Sequence, residues 1–172
     1  MTRTLIALVT VGLLVIACTG DNLTAPAADD LSVVAQTDAL PNKVVYRVTV
    51  GGPDACGPDG PGCDANFSLI ALEKADGSVE GQWHDQFYGG VGVHVAVDCL
   101  EIVGNEAWVS GVVTGKTFNG AAVVTRVADN GKSANDPVDQ ISYTSSAARW
   151  GDCKATPALT LYDVSAGQVK ID

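Results

Sequence analysis

An all-β domain is what the chain from Lys43 onward predicts: a single antiparallel β-barrel or two-sheet sandwich of about eight or nine strands. Three observations carry that reading. Apolar residues recur at every second position in several segments, which is the period of a half-buried strand. Gly, Asn and Asp punctuate those segments at short intervals. No stretch of ten or more residues in this body shows the 3.6-residue period of a helix.

Taken in order, Val44, Tyr46, Val48 and Val50 alternate with Val45, Arg47 and Thr49 in the first strand. Phe67 to Leu72 is the second, and Lys74-Ala75-Asp76-Gly77-Ser78 is a turn that leads into Val79, Gly81 and Trp83. Val91, Val93, Val95 and Val97 alternate with Gly92, His94, Ala96 and Asp98. Gly104-Asn105 turns the chain into Ala107 to Val113. Ala121 to Ala128 follows, then Asp129-Asn130-Gly131 as a turn. Gln140 to Thr144, Ala158 to Tyr162 and Gln168 to Ile171 complete nine candidate strands. Nineteen glycines and abundant β-branched residues agree with this pattern.

A length of 172 residues suits about one domain, and 47% apolar residues rule out wholesale disorder. Charged residues are only 17%, with 20 acidic against 10 basic. That balance excludes nucleic acid as a partner, because a phosphate backbone needs clustered Lys and Arg. It equally excludes a polybasic patch for anionic lipid.

The N-terminus differs from the body. Arg3 precedes an apolar run of twelve residues from Leu5 to Ile16. As a helix the run would span roughly 18 Å, against about 30 Å of membrane hydrocarbon, so it fits a signal peptide over residues 1–17 rather than a spanning helix. The run closes with Val15-Ile16-Ala17-Cys18, which resembles the lipobox of bacterial lipoproteins. The resemblance implies cleavage after Ala17, acylation of Cys18 and attachment to a membrane through that lipid anchor. Thr19 rather than Asp follows, which in enterobacterial lipoproteins goes with the outer membrane. Several acyl chains are what a lasting anchor needs. Residues 18–42 are rich in Ala, Asp, Thr and Pro and hold no aromatic or basic residue, so they read as a flexible tether reaching roughly 25–30 Å. The all-β domain then occupies residues 43–172.

A second resemblance covers about residues 80–145. Val103-Gly104-Asn105-Glu106-Ala107-Trp108-Val109-Ser110-Gly111, then Val127-Ala128-Asp129-Asn130-Gly131 and Asp139-Gln140-Ile141-Ser142, look like a group of small secreted bacterial β proteins. Those share a GNxAxVxG turn and strand, a VxDNG turn and a DxIS strand. The resemblance implies a β fold and an exported location, and it carries over no catalytic residue.

With Cys18 assigned to lipid, Cys56, Cys63, Cys99 and Cys153 remain. An even set in an exported chain suggests two disulfides, with three pairings open. The Gly/Pro-rich loop between Cys56 and Cys63 can fold back on itself, which favours their pairing and leaves Cys99 with Cys153. The longer bridge would contribute roughly 3–4 kcal/mol through loop-closure entropy. The spacing is not that of a zinc site, and no metal or other cofactor is expected.

Candidates for chemistry are sparse. His84 beside Asp85, and His94 four residues before Asp98, are the only imidazoles, and no nucleophile elbow, HExxH or P-loop accompanies them. Glu73, Glu80, Asp85, Glu101 and Glu106 include any glycosidase-like pair. Gly89-Gly90-Val91-Gly92 precedes no helix and reads as a bend into a strand. Trp83, Tyr88 and Trp108, with Phe87 and Trp150, are the aromatics available to a ligand platform. Trp83 falls in the core register, and Trp108 falls outward. Residues 129–139 carry three Asp, and are expected to be a solvent-exposed connection between antiparallel neighbours that binds no metal tightly. The expectation is therefore a non-catalytic, lipid-anchored envelope domain that binds or plays a structural part. The alternatives are a small-ligand carrier using the barrel interior, or a hydrolase acting on polysaccharide or lipid.

Overall fold

Strand alternation decides which side chains leave water. In β1 (Val44–Pro53), Val48 and Val50 turn inward while Thr49 faces out. In β2 (Asn66–Lys74), Phe67, Leu69 and Ala71 are buried between exposed or half-buried neighbours. β3 (Val79–Gln86) buries Trp83 and Asp85, and β4 (Gly92–Val103) buries Val93, Val95 and Val97. The computed structural model describes residues 42–53, 66–86, 92–132, 136–164 and 166–172, all within the unit spanning residues 37–172. The expected lipidation site Cys18, the tether, Cys56, Cys63 and Tyr88 lie outside the described residues.

The chain continues through β5 (Glu106–Val113), β6 (Ala122–Ala128), β7 (Gln140–Ile141) and β8 (Ser145–Ser146). A single helical turn, α1 (Ala147–Trp150), and a 3₁₀ turn at Cys153–Ala155 follow, then β9 (Tyr162–Asp163) and β10 (Gln168–Ile171). One antiparallel sheet runs in the order β10-β1-β2-β3-β4-β5-β6-β7-β9, with β8 also beside β6. It curls as a half-barrel around an apolar core that includes Val48, Leu69, Trp83, Leu100, Val109, Val127, Ile141 and Val169. Gly81 permits close strand approach, since a Cβ there would meet the Ile70 carbonyl oxygen at 2.0 Å. Gly104, at φ 64°, supplies the left-handed residue of the tight β4–β5 turn. In the β2–β3 turn Asp76 accepts bonds from the Ser78 hydroxyl and amide, which hold its carboxyl below the usual aspartate range.

The all-β expectation holds, and the departures from it have local causes. A bulge falls in β4, where Val97 faces Gly111 but Cys99 faces Ser110. The extra residue, Asp98, shifts parity: Leu100 takes the inward place that Cys99 would have had. The expected strand at Gln140–Thr144 shrinks to β7, although Ser142 keeps contact with β6 by exchanging bonds with Arg126. The expected strand at Ala158–Tyr162 is mostly not a ladder, because side chains bind its carbonyls instead. Trp108 Nε1 donates to the Pro157 oxygen, and Arg126 Nη1 donates to that of Leu159.

The two ends of the sheet path, β9 and β10, are joined by residues 164–167. Carboxylates bridge the seam between them. Asp139 Oδ2 accepts the Val169 N–H at 2.8 Å and its Oδ1 accepts that of Asn130 at 2.8 Å, while Asp129 Oδ2 accepts the Ile171 N–H at 3.1 Å. Residues 132 and 136–138 are exposed and join antiparallel neighbours, as expected, but Asp129 and Asp139 at the ends of that connection are structural acceptors. Asp139→Ala should lower stability by about 2–4 kcal/mol, since it strands the buried Val169 N–H and removes two charge-assisted bonds. Urea unfolding checks the loss. Amide exchange should show Val169 unprotected before the β2–β3 ladder opens.

Candidate functional site

The outer face of the sheet divides into a covered half and an open half. Over the covered half, residues 147–160 lie as a strap on β4, β5 and β6. The β4 bulge turns Cys99 toward it, and Cys99 is disulfide-bonded to Cys153 with Cα atoms 5.9 Å apart, closing 54 residues of sequence. The Cys153 N–H donates to Ser110 Oγ, and Lys154 Nζ reaches the Leu100 carbonyl and Glu101. Arg126 clamps Glu106 through two nitrogens at 2.7 and 3.1 Å and lies 5.2 Å from the Trp108 ring centre. Strands β5 and β6 are therefore buried on both faces beneath the strap, including Trp108, Ser110 and Val124.

The open half is a groove of about 740 Å³ across β1–β5. Its outward side chains are Ser68, Ile70, Gln82, His84, His94, Ala96 and Thr114. Small residues in the register leave the sheet backbone near the surface. Register aligns Ser68 with His84 and His84 with His94, and Thr114 N donates to the His94 carbonyl. One row therefore reads Ser, His, His across three strands and continues to Thr, the residue just after β5. The two imidazoles stack at 4.3 Å between centroids and 14° between planes. Among the described residues, no side chain lining the groove is an acid, a lysine or an arginine.

The sequence candidates separate in space. Trp83 is 1% exposed and packs against Phe67 in the core, and Trp108 is buried under the strap, so neither ring is offered to a ligand. Among the described residues the Trp83 indole N–H has no partner. Asp85 points inward, where Thr144 Oγ1 donates to it, while His84 points outward; the adjacent His and carboxylate do not meet. His94 and Asp98 are four strand residues apart, roughly 13 Å. Glu80, Glu101 and Glu106 are each engaged by a different base, Lys74, Lys154 and Arg126. Trp150 is exposed, and it gathers with Tyr143 and Tyr162 around a smaller depression of about 160 Å³. Neither tyrosine stood out in the sequence, because the chain between them is irregular.

Two outcomes follow. A Cys99→Ser, Cys153→Ser double variant should lose roughly 3–4 kcal/mol in denaturant unfolding, from the freed loop entropy. Trp108→Phe keeps an aromatic ring, though a smaller one, but leaves the Pro157 carbonyl without its indole donor, and should cost about 1–3 kcal/mol in the same assay.

Compared with known proteins, the chain matches no protein-family model, no curated protein and no solved structure.

Proposed function

We propose that this is an exported, lipid-anchored envelope protein whose β domain works by binding rather than by catalysis. The observation that carries the reading is the contrast between its two surfaces. The inward face is occupied by its own side chains, Trp83, Leu100 and Ile141 among them at about 1% exposure. The outer groove, by contrast, displays a row of hydroxyl, amide and imidazole groups that none of the other described residues covers. A carrier using the interior would need that space empty. A carboxylate hydrolase would need two acids facing one cleft, whereas here three glutamates serve separate ion pairs.

Support for export comes from the bridge between Cys99 and the fully buried Cys153. A structural disulfide of this kind persists in an oxidising compartment. Among the described residues no helix is long and apolar enough to cross a membrane, and the proposed attachment is the lipid on Cys18.

The test is mass spectrometry of the mature N-terminus from envelope fractions. The expected chain begins at Cys18 and carries acyl groups, and Cys18→Ser leaves it unacylated and released from the membrane fraction. A mature wild-type chain that begins elsewhere without lipid overturns the anchor.

A further inference from the structure

The geometry points to His84 and His94 as a binding site for a divalent transition-metal ion of the copper, nickel or zinc kind. The inference rests on the reading of the outer groove as the binding face, and names the ligand chemistry of that face. The chain has two histidines, ten residues apart, and strand pairing sets them directly opposite one another. Among the described residues neither ring makes a hydrogen bond, so none of those residues occupies the ring nitrogens. Two nitrogens bound to one ion at about 2.0–2.1 Å each lie no more than about 4 Å apart. The rings are stacked with centroids 4.3 Å apart and planes 14° from parallel, so to share an ion both rings must turn until a nitrogen edge of each faces the same point.

The surroundings favour this chemistry. A Cβ on Gly92 would come within 3.3 Å of His84 Nε2, so the ring lies close over a residue without a side chain. Ser68 and Thr114 flank the pair and can hold water on the remaining coordination positions. Imidazole nitrogen without carboxylate or thiolate selects copper, nickel and zinc over calcium and magnesium. Among the described residues the groove carries no fixed positive side chain, and the net charge of −10 draws cations toward the protein. Two protein ligands leave the ion open to further donors, so a metal-bridged second ligand can dock in the same groove.

Zinc titration of the full chain in detergent, after stripping with chelator, tests the site by calorimetry. Cu²⁺ loading followed by electron paramagnetic resonance reads the donor atoms. One zinc per chain is expected, with a copper spectrum showing coupling to two nitrogens. His84→Gln and His94→Gln, on the outer face with His84 half-buried and His94 exposed, should each weaken zinc binding roughly tenfold or more while leaving the unfolding midpoint of the metal-free protein unchanged. No binding, or binding that survives either substitution, overturns the site. The lipid plays no part in this measurement: a chain without acyl groups still tests the histidines, and a failed titration leaves the anchor standing.

Discussion

Asp139 holds the two ends of the sheet together. A curled sheet that stops short of closure exposes two edges of unpaired backbone groups, which invite pairing with other chains. Here one buried carboxylate accepts from β10 with one oxygen and from the turn after β6 with the other, and its own carbonyl accepts the Val164 N–H beyond β9. Asp129 adds a further acceptor for β10. A carboxylate has no donor of its own, so it can receive amides from both sides of a seam where a strand ladder cannot fit. The core cluster joins residues of β1, β7 and β10, and this places both ends of the path around the same apolar centre.

Closure at the seam and coverage at the strap solve different problems. The seam satisfies backbone polarity. The strap lets β5 and β6 bury both of their faces, which their apolar outward residues require. It does so with side-chain donors placed on those strands, Trp108 and Arg126, which receive carbonyls of the incoming segment. The disulfide then fixes the segment where those bonds form. Nothing comparable covers β1 to β3 or the part of β4 before its bulge among the described residues, and their outer face remains the groove.

Much of this was legible in the residues themselves. Alternation located the first six strands and the last, because one wet face and one dry face force a period of two. Cys99 with Cys153 followed from pairing the cysteines that the Gly/Pro loop left over. The seam was not legible, since Asp129 and Asp139 sit in turn-forming stretches where aspartate is ordinarily solvated. The strap was hidden for a related reason: Ala158 to Tyr162 has strand-like composition, and only the side chains across from it decide that its carbonyls leave the ladder. The histidine pair had a faint signal, as Gly89 lies midway between His84 and His94 in the sequence. A bend there predicts their opposition, but only once the register of the hairpin is known.

The single extra residue at Asp98 makes one strand serve two masters. In a regular strand two residues five positions apart lie on opposite faces, yet His94 and Cys99 share the outer one. Before the bulge, outward positions belong to the groove; after it, they belong to the strap. The inserted residue thus decouples the halves, so that change at His94 or Ala96 need not be matched by change at Cys99 or Glu101. A protein of this plan can vary what it holds on one half of its surface while the brace on the other half stays fixed.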